Sequence, residues 1–235
     1  MQFTYLIIIL LLFTGCAPVF NEFQGADTVG KGNRQITPYI SSSQVKSTNS
    51  DDSDLSVSGD INSTIGIRYA YGITNMRDIH LKYDNIDGEG GVVEGFLISL
   101  GIKQFIYSEQ NNIHRLSFYL PLSYASRSIQ NITDLEMDGS GETQTYLLLE
   151  PTIIASSKLS NKFDLNYSAK FIQKIAGDDL GDNIKENGIG LNMSIIFPLS
   201  EMISLIPEYG ILFWDKEQFT HSGIGINLDL NKLNQ

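Results

Sequence analysis

From residue 63 onward the chain alternates apolar with small or polar side chains at a period of two. In the first such stretch, 63–72, Ile65, Ile67, Tyr69 and Tyr71 share one face and Thr64, Gly66, Arg68 and Ala70 the other. In 78–85, Ile79, Leu81 and Tyr83 alternate with His80, Lys82 and Asp84. In 92–107, Phe96, Ile98, Leu100 and Ile102 oppose Gly95, Ser99, Gly101 and Lys103. In 115–127, Leu116, Phe118, Leu120, Leu122 and Tyr124 oppose Ser117, Tyr119, Ser123 and Arg127. The same alternation returns in 146–156, 163–174, 188–197 and 223–230, while 203–214 is apolar on both faces except for Ser204 and Glu208. A shorter stretch, 35–42, precedes them all. Side chains of a strand point alternately to its two faces, whereas a helical face recurs every three or four residues. The pattern therefore predicts ten β-strands.

An even number of strands returns both chain ends to one side. The connections after strands two, four, six and eight are short: ITNMR, SEQNN, SKLSNK and PLSEM. Those after strands one, five and seven, at 43–59, 128–143 and 175–187, are longer and acidic; 86–91 and 215–222 are intermediate. Short turns beside the termini and long loops opposite predict an all-β, up-and-down antiparallel transmembrane barrel. Alternation alone does not orient it, because a soluble ligand-binding barrel is apolar inside. The polar face decides: it holds Gly, Ser, Asn and Thr with few charges, not the Lys and Glu of a solvated surface. Tyr71, Tyr83, Tyr124, Phe163 and Phe197 also fall near strand ends, where membrane interfaces collect aromatics. The apolar face is assigned to lipid.

Composition agrees. Charged residues are 18% of the 235, while Gly number 21, Tyr 11 and Phe 12. The net charge of -11 excludes a nucleic-acid partner, which needs a basic surface. The apolar run LIIILLLFTGC at 6–16 is too short for a spanning helix and has the length of a secretory signal. Its Cys16 is the only cysteine, so no internal disulfide is available to it. The segment Phe13-Thr14-Gly15-Cys16 resembles the lipobox of bacterial lipoproteins. That resemblance implies cleavage before Cys16, a diacylglycerol on its thiol and an acyl chain such as palmitate on its new amine. With Ala17 next, where an Asp would favour retention in the inner membrane, lipoprotein sorting would carry the chain outward. The expected organisation is a signal peptide over 1–15, a lipidated tether over 16–34 and a barrel over 35–235.

The hairpin YGITNMRDIHLKY at 71–83, with the strand spacing and the lipobox, resembles the small outer-membrane β-barrel proteins of Gram-negative bacteria, OmpA- or OmpX-like in the broad sense. The resemblance implies a monomer in the cell outer membrane, among its lipid and lipopolysaccharide, delivered by barrel-assembly and lipoprotein-sorting machinery. The chain departs from that family in ending LDLNKLNQ, without a terminal aromatic.

The inferred lumen face carries Arg68, Lys82, Lys103, Arg115, Arg127 and Lys170 together with Asp84, Glu150, Asp164, Glu208 and Asp229. One reading is a polar path for ions or small solutes. The other is a plug of compensating charges, favoured because small barrels fill with their own side chains and unpaired interior charge is costly. Of the three histidines, His80, His114 and His221, the last precedes Ser222 and lies near Asp215 and Glu217. These are the residue types of a rim hydrolase acting on lipid A or peptides, but no triad spacing supports one, and a solvated loop-end histidine is expected. The loop acids Asp51, Asp52, Asp54, Asp134, Glu136, Asp138, Asp178, Asp179 and Asp182 match no EF-hand spacing. No phosphate loop or zinc spacing occurs, so neither metal nor cofactor is expected. The chain reads as a non-enzymatic barrel with a structural or surface-interaction role, the alternative being a narrow channel.

Overall fold

The structure, a computed structural model, describes residues 21–47, 58–88, 93–109, 113–129, 142–160, 162–177, 187–214 and 217–231. Cys16, the signal-like run and the loop acids named above lie outside these residues. The described chain forms β1 (Arg34–Ser47), β2 (Ser58–Thr74), β3 (Arg77–Gly88), β4 (Val93–Ser108), β5 (His114–Ile129), β6 (Glu142–Leu149), β7 (Thr152–Ser160), β8 (Phe163–Gly177), β9 (Asn187–Pro198), β10 (Ile203–Trp214) and β11 (Glu217–Asp229). Every pairing is antiparallel, and β1 joins β11 to close the sheet. Both β6 and β7 lie between β5 and β8. They are halves of one stave, so eleven segments make a barrel of ten staves.

The break in that stave is Pro151, which has no N–H to give to the ladder. Its surroundings keep the wall continuous. The Glu150 N–H donates to the Pro121 carbonyl at 3.1 Å, and the Phe171 N–H to the Pro151 carbonyl at 3.0 Å.

The two faces are inverted relative to a water-soluble domain. Ile65 is 66% exposed and Leu100 59%, while Thr64, Arg68, Ser99, Lys103 and Thr152 are buried. An exterior of Ile, Leu and Tyr over a charged interior is stable only in hydrocarbon. Aromatic pairs mark both borders of this belt. Phe96 and Tyr124 meet at 6.0 Å toward the long-loop side, and Phe163 and Phe197 at 5.9 Å toward the turn side. The fold is a transmembrane β-barrel.

The staves outlast the alternating pattern on the long-loop side. β1 continues to Ser47, β2 starts at Ser58 and β11 at Glu217, where the pattern had placed 42, 63 and 223. Above the hydrocarbon an outward side chain need not be apolar, so the period-two signal fades while the backbone ladder goes on.

Residues 21–26 run inside the barrel and 27–33 emerge at its turn-side end. Phe23 and Ala26 are 1% and 0% exposed. At the turn side the chain reverses into β1 through Gly30 and Gly32, whose φ values of 84° and 78° suit glycine. The Gly32 N–H donates to the Gly72 carbonyl at 2.8 Å, and the Gly72 N–H to the Asn33 carbonyl at 3.0 Å. The approach is so close that a Cβ on Gly72 would lie 1.8 Å from the Gly30 carbonyl oxygen. The described part of the expected tether is thus an internal plug.

A plugged lumen as the candidate functional site

The plug is an irregular strand whose backbone groups cannot join the wall ladder, so wall side chains must satisfy them. Glu208 of β10 accepts the N–H groups of Glu22 and Phe23, each at 2.7 Å. His221 of β11 approaches the same carboxylate with Nε2 at 3.1 Å. This clamp holds Phe23 at a φ of 40°, a left-handed conformation that costs a non-glycine residue roughly 1–3 kcal/mol. The Phe23 ring stacks on Tyr39 at 4.7 Å, and the Tyr39 hydroxyl donates to Asp84 at 2.5 Å. Inward-facing glycines make the room. A Cβ on Gly223 would stand 2.7 Å from the Phe23 ring, and one on Gly66 2.3 Å from the Tyr39 ring.

Around Glu22 the lumen is ionic. Its carboxylate lies 2.6 Å from Lys170 Nζ and 3.5 Å from Arg68 Nη2, and accepts from Gln24 Nε2 at 2.7 Å. Lys170 also pairs with Glu150 at 3.0 Å. Lys82 pairs with Asp84 at 3.0 Å and donates to the Asn21 carbonyl at 3.2 Å. Arg68 rests over the Tyr119 ring, 5.6 Å from its centroid. Arg68, Lys82 and Lys170 thus face Glu22, Asp84 and Glu150, three cations against three carboxylates. The plug supplies one of the six charges.

Nearer the turns the wall grips backbone again. The Ala26 N–H donates to Ser156 Oγ at 2.7 Å, and Ser117 Oγ donates to the Ala26 carbonyl. Lys103 Nζ reaches the carbonyls of Gly25 at 3.3 Å and Asp27 at 2.5 Å. Arg115 bridges the Asp27 carboxylate and, at 2.5 Å, that of Asp164. The Val29 N–H donates to Asp78 at 3.0 Å, and Thr28 Oγ1 to the Asn75 carbonyl at 2.8 Å. Between Asn21 and Asp27 the plug is held by side chains of β1, β2, β3, β4, β5, β7, β8 and β10, while Gln24 bonds to Glu22 and Thr28 to the turn at Asn75.

The charges singled out in the sequence do not all meet here. Arg68, Lys82, Lys103, Glu150, Lys170 and Glu208 are buried in the lumen, with Arg115 at its turn-side edge. Asp229 has the inward parity but is the last residue of β11, where the lumen opens. Its carboxylate accepts instead from the Asn231 N–H at 3.0 Å and Asn231 Nδ2 at 2.7 Å. Arg127 is exposed at the long-loop end.

His221 corrects the expectation of a solvated loop end. Because β11 begins at Glu217, His221 lies well inside its stave, facing inward and 2% exposed. His80 is likewise buried, with Nε2 3.7 Å from Asp78. His114 is exposed and bonds Ser157 Oγ at 3.0 Å. Glu22, Phe23, Asp27, Tyr39 and Asp78 were not foreseen as parts of the site. The available signal was the set of glycines on the lumen face, which leave room beside the wall for something bulky.

No protein-family model matches the chain, and no curated protein matches it in sequence. Solved structures do resemble it. The β domain of the Bordetella autotransporter BrkA superposes with a TM-score of 0.56 at 9% identity, over 85% of this chain and 100% of that one. An outer-membrane channel from Pseudomonas putida F1 superposes with a TM-score of 0.54 at 10% identity, over 92% of this chain and 100% of that one. At such identities the likeness concerns architecture alone. The fold is that of Gram-negative outer-membrane β-barrels.

Proposed function

We propose that the chain is an outer-membrane barrel sealed by its own amino-terminal segment, with a structural or surface-interaction role and no catalytic one. The observation that carries this reading is the threading of residues 21–26 through the lumen, where wall side chains from most staves hold them. Solute passage would require breaking the Glu22 ion pairs and the Glu208 clamp together. Anchoring through an acylated Cys16, residence among lipopolysaccharide and outer-membrane lipid, and delivery by the barrel-assembly and lipoprotein-sorting machineries belong to the same reading. The hydrolase alternative loses its main support: the His221 and Glu208 pair faces the plug backbone, and no substrate could reach it with the plug seated. Replacing His221 by Ala is expected to leave lipid A mass spectra and peptide cleavage unchanged.

Planar-bilayer recording of the full-length protein tests the seal. No steady single-channel openings are expected, whereas removal of 21–33 should produce them. Steady openings of constant conductance from the intact chain would refute the seal and support the narrow channel.

A further inference from the structure

The wall does not close on the plug equally on all sides. On β8 and β10 the contacts are short: Glu208 accepts the plug N–H groups at 2.7 Å, and Lys170 lies 2.6 Å from Glu22. On β2 to β5, from the level of Lys82 toward the turns, several polar groups approach without closing. Arg68 Nη2 reaches Glu22 only at 3.5 Å, His80 Nε2 is 3.7 Å from Asp78, and Lys103 Nζ is 3.9 Å from the same carboxylate. A hydrogen bond between nitrogen and oxygen ordinarily spans about 2.7–3.2 Å.

The atoms around these long contacts are deeply buried. Arg68, Asp78, His80 and Tyr119 are 3%, 0%, 1% and 1% exposed. Among the described residues, Arg68 Nε and Nη1, Asp78 Oδ1, both ring nitrogens of His80 and the Tyr119 hydroxyl have no hydrogen-bond partner. They belong to one corner of the lumen. The Tyr119 ring centroid lies 5.3 Å from that of His80 and 5.6 Å from Arg68 Cζ. Asp78 pairs across the sheet with Lys103, and Lys103 with Tyr119. The neighbouring groups have nothing polar left to give. His80 is flanked in its row by Ala70 and Gly101, and the plug residue packed on Tyr119 is Ala26. Ser156 and Ser117 already take the Ala26 N–H and carbonyl, and Lys103 takes the Gly25 carbonyl. Buried polar atoms left in this state are rare and costly, so a partner from outside the chain is required.

The mixture of donors and acceptors selects that partner. The free Arg68 nitrogens can only donate, a carboxylate oxygen of Asp78 can only accept, and His80 and Tyr119 do either. An anion would suit Arg68 but would face the Asp78 carboxylate, and a cation would face Arg68 and Lys103. Water donates and accepts, and it bridges polar contacts longer than about 3.5 Å. We propose that this corner is a binding site for ordered water, which links Asp78, His80, Tyr119 and Arg68 in one network. The plug is then gripped directly at Glu208 and Lys170 and wetted along β2 to β5.

Two measurements on the full-length protein in nanodiscs test the site. With the histidines isotopically labelled and assigned, the carbon-bound ring protons of His80 should show cross-relaxation with water, as those of the exposed His114 do. Absence of a water cross-peak at His80 would overturn the proposal. Tyr119→Phe, with the folded barrel selected by heat-modified gel mobility, separates a hydrated hydroxyl from a dry one. Loss of a hydroxyl bonded to water should raise the unfolding equilibrium constant about two- to tenfold. An unchanged or lower constant, the result of deleting an unpaired buried hydroxyl, would equally overturn the site. Bilayer conductance reports the seal and not the hydration of this corner, so the two readings fail separately.

Discussion

Replacing Glu22 by glutamine removes the one charge that the plug contributes to the central ring. The carboxylate lies 2.6 Å from Lys170 and 3.5 Å from Arg68. At an effective dielectric of about 20 these contacts correspond to about 6 and about 5 kcal/mol of bare attraction, opposed by the cost of keeping the carboxylate out of water. Breaking a buried pair by removing one partner costs roughly 3–5 kcal/mol. The lower end of that range is expected, because Lys170 keeps Glu150 at 3.0 Å. Arg68 keeps the Tyr119 ring but has no other carboxylate within 4.0 Å among the described residues. Denaturant unfolding of the barrel in detergent, followed by Trp214 emission, should show Glu22→Gln destabilised by about 3 kcal/mol. Arg68→Met in the same chain removes the cation left without a carboxylate and should recover part of the loss, giving a double-mutant coupling well above the roughly 0.3–0.5 kcal/mol scatter of independent sites. A Glu22→Gln protein within about 0.5 kcal/mol of wild type, the range of an ordinary surface change, would refute the ionic seating of the plug.

Three further outcomes separate the parts of the structure. Gly72→Ala places a Cβ 1.8 Å from the Gly30 carbonyl oxygen and should cost about 1–3 kcal/mol, read as faster trypsin cleavage at Lys31; an unchanged cleavage rate would speak against the turn-side contact. Glu208→Leu leaves the N–H groups of Glu22 and Phe23 without their acceptor, at about 1–3 kcal/mol each, so deuterium exchange at those two amides should accelerate. Equal exchange in both proteins would mean that the clamp does not hold the plug. Leu100→Arg puts a charge on the lipid face at a position 59% exposed and should cost roughly 2–4 kcal/mol in liposome insertion, whereas a neutral result would invert the orientation of the wall.

The wall was legible because each stave must satisfy two environments at once, lipid outside and a polar lumen inside, and a strand presents them on alternate residues. Ile79, Leu81 and Tyr83 against His80, Lys82 and Asp84 carry that conflict in plain view, and the structure turns them outward and inward respectively. Where the lipid ends, that conflict ends and the alternation with it. The ladder pairing Ser47 with Glu217 lies beyond the hydrocarbon, so no apolar face announces it. The misplacement of His221 follows directly, since a stave thought to begin at 223 leaves position 221 in a loop. Pro151 interrupts the backbone pairing without disturbing side-chain parity, so Glu150 and Thr152 still face inward on either side of it.

The plug was not legible by pattern, since a segment held by side chains from many staves has no repeating partner and hence no period. Its trace is in the charges of the wall. Around mid-lumen Lys82 and Lys170 meet the wall carboxylates Asp84 and Glu150, and Glu208 turns to the plug backbone, so Arg68 has no wall carboxylate within 4.0 Å among the described residues. Wall pairs therefore compensate Lys82 and Lys170, and the plug completes the set at Arg68. A buried cation without a partner is too costly to persist. A carboxylate from outside the wall has to enter, and it has to arrive on backbone thin enough to pass Tyr39 and Tyr119. Gly66, Gly223 and Gly225 widen the lumen along that route, with a Cβ on Gly225 falling 3.1 Å from the Phe23 ring. Asn21-Glu22-Phe23-Gln24 answers both demands, bringing an acid to Arg68 and an aromatic ring to the space the glycines leave. The missing charge and the missing side chains point to the same four residues.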